Sequence, residues 1–174
     1  MMEEKVILVD KNDLQLGLLS KMEAHRKGLL HRAFSIFIFN SSRSLLMQKR
    51  SKLKYHSPGL WTNTCCSHQR DGESTIDAAN RRLSEEMGLI VDMKEVFSFI
   101  YKANLKNGLI EHEFDHVLIG YTDLNPEINT NEVEDWDWVN LSYLEKDLDE
   151  NPKVYTEWFK IIFLRVKNYV NSLD

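Results

Sequence analysis

Between residues 62 and 89 the chain reads TNTCCSHQRDGESTIDAANRRLSEEMGL, and thiol, imidazole, guanidinium and carboxylate groups crowd around what reads as a loop entering a helix. Cys66 and His68 stand two apart in that loop. A buried cysteine is ordinarily a small hydrophobe, and it turns reactive where its surroundings lower its pKa or position it for proton transfer. The nearby Arg and His residues give reason to expect such surroundings. Further on, Glu111 and Glu113 flank His112 in a run that reads as a strand, where the period of two turns both carboxylates to one face. Two carboxylates side by side repel unless a proton or a cation lies between them, so this pair asks for a metal. Neutral imidazole is a favoured partner for zinc and similar ions, and His25, His31 and His68 are the candidates.

These groups need elements to position them. After Gly72, Glu73 and Ser74, the spacing of Ile76, Ala79, Leu83 and Met87 predicts an amphipathic helix with those four as its buried stripe, stopped by Gly88. Arg82 and Glu86, and likewise Arg81 and Glu85, are four apart on it, pairs worth a few tenths of a kcal/mol when exposed. Strands are expected over 6–9, 33–40, 45–50, 96–103, 111–119 and 134–139, with the second and third forming a hairpin through Ser41-Ser42. His25 and His31 fall in what reads as a polar connection. A short helix over 141–148 and a longer one over 152–170 follow, the latter burying Phe159, Ile162, Phe163, Val166 and Val170 with Trp158 beside them.

At 174 residues, with 43% apolar and 28% charged residues, the chain reads as one globular domain spanning 1–174 with enough apolar material for a core. A net charge of -5 argues against a general nucleic-acid surface. No run approaches the roughly 18 apolar residues of a membrane span, and residues 1–10 lack the pattern of a leader. A cytoplasmic protein that meets neither nucleic acid nor membrane is expected. Cys65 and Cys66 are adjacent and poorly spaced for a disulfide with each other, so both are expected as free thiols. No apolar stripe stands out as left over in the sequence, which favours a monomer.

Ser67, Glu73, Arg81, Leu83, Glu85, Glu86, Gly88 and Leu89 fall on the frame of the Nudix box, with two departures: Ser67 replaces its first Gly, and Arg82 replaces the Glu after its Arg. In Nudix hydrolases that Glu belongs to a metal-holding carboxylate cluster, so the reversed charge weakens the case for hydrolysis. With TNTCCSH before it, the chain resembles the type I isopentenyl-diphosphate isomerases over residues 6 to 165. The resemblance implies an α+β fold, α/β/α in layers, with a mixed β-sheet flanked by helices. It also implies a divalent ion, Mn²⁺, Zn²⁺ or Mg²⁺, held by His25, His31, His68, Glu111 and Glu113. A second ion, Mg²⁺, would come with the diphosphate and be held by Glu86. Lys21, Arg50, Lys54, Ser67 and Arg82 become the phosphate-side residues, and Trp158 the wall facing a carbocation.

The implied reaction moves a double bond between isopentenyl and dimethylallyl diphosphate, a step of isoprenoid biosynthesis. It adds a proton to an unactivated alkene and removes another from the neighbouring carbon, through a tertiary cation. Such chemistry needs an acid and a base on opposite sides of a thin hydrocarbon and the exclusion of water. Cys66 and Glu113 are the expected pair, with Tyr101 assisting at Glu113. Two other readings compete: a Nudix hydrolase of a nucleoside diphosphate derivative, and a non-catalytic domain that its metal merely stabilises.

Overall fold

The computed structural model describes residues 4–173. In chain order the elements are β1 (Lys5–Val9), β2 (Gln15–Ser20), α1 (Lys21–Lys27), β3 (His31–Phe39), β4 (Ser44–Arg50), β5 (Trp61–Thr62), β6 (Cys65–Ser67), α2 (Thr75–Met87), β7 (Met93–Asn104), β8 (Ile110–Tyr121), β9 (Val133–Asn140), α3 (Leu141–Glu150) and α4 (Glu157–Asn171).

Everything is arranged about β3, whose sequence HRAFSIFIF is buried along almost its whole length. A strand buried on both faces requires cover on both faces, and β3 has it. Phe34, Ile36 and Ile38 pack with Leu83 and Met87 of α2. Phe37 and Phe39 pack with Phe159, Ile162 and Phe163 of α4 and with Leu144 of α3. The outcome is the expected α/β/α layering around a mixed sheet. Parallel pairing of β3 with β8 runs from His31↔Glu113 to Phe39↔Tyr121, antiparallel β6 pairs Ser35↔Cys66, and β7 completes the row with Tyr101↔Glu113.

Several elements differ from expectation. The segment before β3 is not simply a polar connection: it holds β2 and α1, and it buries His25 completely. Helix α1 was hard to see because it has only seven residues, opened by the Ser20 side chain on the Glu23 amide and closed by Gly28 in the left-handed region. The β3–β4 hairpin keeps a single paired position, Phe39↔Leu45, because further along β6 takes the facing edge of β3 and β5 that of β4. On α2 the buried face is Ala78, Ala79, Leu83, Glu86 and Met87, and Ile76 is exposed. Pro152 opens a 3₁₀ turn, and α4 begins only at Glu157. An apolar stripe is also left over, since Leu14, Leu16 and Leu18 are exposed at and along β2, which ends the sheet.

Gly88 ends α2 at φ 65°, and a Cβ there would lie 2.7 Å from the Glu127 carbonyl oxygen. Both the left-handed backbone and that contact oppose a side chain. Gly88→Ala is therefore expected to cost about 1–3 kcal/mol in denaturant unfolding, whereas alanine at Gly72, where a Cβ has open space, carries the backbone cost alone.

Candidate active site

One buried group gathers His25 from α1, His31 at the start of β3, His68 just beyond β6 and Glu113 from β8, with one ligand-capable atom from each lying within 4.8 Å of the others. The β3–β8 register sets His31 beside Glu113. Their orientation follows from outer contacts. His31 Nδ1 lies 2.8 Å from the Leu29 carbonyl, which can only accept, so Nδ1 carries the proton and Nε2 presents a lone pair. Nε2 of His25 and of His31 are buried without a hydrogen-bond partner. Buried polar atoms are rarely left unpaired, and imidazole lone pairs converging beside a carboxylate form a set fit to hold a metal ion.

Protonation favours the same reading. Burial holds His25 and His68 neutral, with pKa values down to about 3 and about 4. Burial alone would raise Glu113, but the adjoining imidazoles of His31 and His68 hold it well below the usual carboxylate range. His68 Nε2 lies 3.2 Å from Glu113 Oε1. Glu111 does the opposite: burial and the nearby Glu113 charge push its carboxyl well up. Tyr101 ties the two together, its hydroxyl donating to Glu113 Oε2 at 2.6 Å and lying 3.2 Å from Glu111 Oε2. Of the five expected ligands, four converge. Glu111 stands outside that group, against Tyr101 and 3.9 Å from His56 Nε2.

A single cavity beside this group is lined by Cys66, Tyr101, Glu111, Glu113 and Trp158, and by all five residues expected on the phosphate side, Lys21, Arg50, Lys54, Ser67 and Arg82. Lys21 pairs with Glu4, while Lys54 and Arg82 both reach Glu132. Arg50 donates to the His56 carbonyl at 3.2 Å, with its guanidinium carbon 5.2 Å from the Trp158 ring centre. Glu86 differs from the rest. It is buried, accepts from Arg82 and from Gln48 Nε2, and is not among the residues lining the cavity.

The thiol also departs from expectation, because burial and the nearby Asp115 push Cys66 up rather than down. Its neighbours position it instead. Asn63 Nδ2 donates to the Ile36 and Cys65 carbonyls, which turns Oδ1 toward Cys66 Sγ at 3.1 Å. Ser35 Oγ lies 3.4 Å from Sγ and donates to Asp115 Oδ2. Both cysteines are free, and the alternation of β6 sends Cys65 to the α2 core while Cys66 joins the α4 side.

Sequence reasoning missed Tyr55, His56, Asn63 and Asp115. Asp115 was within reach, since the alternation that pairs Glu111 with Glu113 continues to it. Tyr55 and His56 lie in a loop whose spacing carries no signal.

These features define a Nudix domain, and the family described as NUDIX domain matches residues 29–159. Protein DR0079 of Deinococcus radiodurans superposes with a TM-score of 0.79 at 19% identity, over 93% of this chain and 98% of that one. A MutT protein from Methanosarcina mazei Go1 does so with a TM-score of 0.65 at 18% identity, over 80% and 94%. Identities that low speak for the fold alone. Much nearer in sequence is isopentenyl-diphosphate Delta-isomerase 1 of Aromatoleum aromaticum, 54% identical over 95% of this chain and 93% of that protein. Isopentenyl-diphosphate Delta-isomerase 2 of Photorhabdus laumondii is 55% identical over 92% and 91%. The chain belongs to this isomerase family within the Nudix fold. Among the described residues, no helix is long and apolar enough to cross a membrane.

The buried histidines set a pH dependence. Burial and the Arg50 charge hold His56 down to about 2, beside His25 at about 3 and His68 at about 4, whereas in the unfolded chain a histidine takes up its proton near about pH 6.5. Between those limits the unfolded state binds more protons. Stability of the metal-free protein should therefore fall as pH drops below about 6.5, by up to about 1.4 kcal/mol per unit for each group. Thermal melts from about pH 7.5 to about 5 check this, and His56→Phe is expected to flatten the slope.

Proposed function

We propose that this protein interconverts isopentenyl diphosphate and dimethylallyl diphosphate by proton addition and removal. The observation that carries the reading is the shared cavity, in which a positioned thiol, Cys66, and a buried carboxylate, Glu113, meet an aromatic wall and a ring of cations. One of the pair delivers a proton to the terminal alkene carbon, and the other takes a proton from the methylene on the far side. Tyr101 holds Glu113 by its 2.6 Å hydrogen bond and keeps its own proton, because burial and the two carboxylates push its pKa up. Between the two transfers the substrate is a tertiary cation. The face of Trp158 stabilises that charge by up to about 2 kcal/mol when water is excluded.

Lys21, Arg50, Lys54, Ser67 and Arg82 take the diphosphate. Their partners Glu4 and Glu132 yield to it, since a diphosphate offers each cation more charge than one carboxylate. Glu86 would hold the Mg²⁺ that accompanies the diphosphate, provided Arg82 turned from that carboxylate to the phosphate, and the ion would supply positive charge against the diphosphate. At the inner site, His25, His31, His68 and Glu113 are the holders, with Glu111 beside them. A divalent ion bound there supplies positive charge that orients Glu113 and tunes its acidity. Three imidazoles with one carboxylate suit Zn²⁺ or Mn²⁺ better than Mg²⁺, which prefers oxygen ligands. All these residues come from one chain, so a monomer suffices. Hydrolysis is the weaker reading, because Arg82 occupies the position of a metal-holding carboxylate and pairs with Glu86.

Incubation with isopentenyl diphosphate and Mg²⁺ in D₂O, followed by NMR, is expected to give deuterated dimethylallyl diphosphate. Cys66→Ala and Glu113→Gln should each slow it by about 10²–10⁴-fold. Release of a phosphate fragment without exchange would mark a hydrolase instead. Trp158→Leu is expected to lower kcat about 30-fold, the equivalent of about 2 kcal/mol, with KM for the diphosphate little changed. Chelation should abolish exchange, and Zn²⁺ or Mn²⁺ should restore it at lower concentration than Mg²⁺.

A further inference from the structure

Of the three converging imidazoles, His25 alone takes its outer contact from a side chain beyond the metal-binding group. His31 is held by a backbone carbonyl, and His68 meets Glu113 itself while its Nδ1 has no partner. For His25 the contact is Tyr55, whose hydroxyl lies 3.0 Å from Nδ1. The two rings stack with centres 6.3 Å apart and planes within 23°. His56 meets the Tyr55 ring edge-on at 4.4 Å, and Lys21 Nζ lies 5.7 Å from its centre.

From this geometry we infer that Tyr55 is a positioning residue for the metal site, setting the tautomer and direction of His25 and thereby the affinity for the ion. Only one arrangement of the pair is compatible with ligation. If the phenol donated to Nδ1, the ring proton would sit on Nε2 and face the metal-binding group. With Nδ1–H donating to the phenol oxygen, Nε2 presents its lone pair to the group, where it is buried without another partner. Outer contacts of this kind hold a ligand's orientation and raise its basicity, and losing one commonly costs 10–100-fold in metal affinity. Tyr55 is also the outermost ring of the stack, 41% exposed against 0% for His25. It thus closes His25 off from solvent while its hydroxyl reaches inward.

The inference rests on the metal reading above, and the test separates the two. Metal-free wild type and Tyr55→Phe are titrated with Co²⁺ alone against a competing chelator, and both are melted without metal. The expected result is about tenfold weaker Co²⁺ binding by the variant, an unchanged metal-free Tm, and kcat within about threefold of wild type at saturating metal. Equal affinity in the two proteins would overturn the inference while leaving the metal site standing. Weaker binding accompanied by a lower metal-free Tm would also overturn it, since the ring would then be serving the fold rather than the ligand. A wild type that takes up no Co²⁺ would remove the metal reading and the inference together.

Discussion

The structure depends on one buried arrangement, the charged carboxyl of Glu113 held among His31, His68 and Tyr101. An ionised carboxylate in an apolar interior is costly unless hydrogen bonds and opposite charge compensate it. The pairing of β8 between β3 and β7 sets that carboxyl by register between His31 and Tyr101, and the Tyr101 hydroxyl and His68 Nε2 supply its hydrogen bonds. A slip of one residue in either pairing would turn these groups to the opposite face. The apolar runs of β3 and β8, packed on both sides by α2 and α4, make such a slip expensive. The core therefore specifies the site as well as stabilising it.

From that arrangement the division of labour across the cavity follows. The floor is rigid sheet, and it carries the groups proposed to handle protons, Cys66 from β6 and Glu113 from β8, with Glu111 beside them. The rim is made of cations from a helix start, a strand end and a loop, Lys21, Arg50 and Lys54, together with Arg82 of α2. Lys21, Lys54 and Arg82 already rest against carboxylates and Arg50 against a backbone carbonyl, so the diphosphate proposed to bind them would exchange existing contacts rather than order free side chains. Trp158 and His56 both line the cavity and meet edge to face with ring centres 5.7 Å apart.

The altered Nudix box acquires a physical meaning in this setting. Arg81 keeps a structural role, gripping Glu73 through two hydrogen bonds of 2.7 and 2.8 Å and so fixing the loop before α2. Arg82 neutralises Glu86 and Glu85 and reaches Glu132. Where a carboxylate cluster would gather metal for hydrolysis, Arg82 adds instead to the cationic rim of the cavity, the side proposed to take the phosphates. The group that could hold a metal ion lies at the buried histidines and Glu113, the carboxyl that is proposed to handle protons.

Much of this was legible in the sequence because local rules govern it. The period of two placed Glu111 and Glu113 together. Gly88 marked the end of α2, and the box with TNTCCSH pointed to the family. Other features depended on contacts distant along the chain. The seven residues of α1 are too few to declare a helix by periodicity, so the burial of His25 was invisible. Tyr55 and His56 become part of the site only when their loop folds against α1 and α4, and nothing in their spacing announces it. The upward shift of the Cys66 pKa likewise arises from burial and Asp115, which a string of residue types cannot express. Residue chemistry and short-range periodicity thus determined which groups are available, whereas strand register and desolvation, set by partners tens of residues away, decided which of them meet and in what charge state.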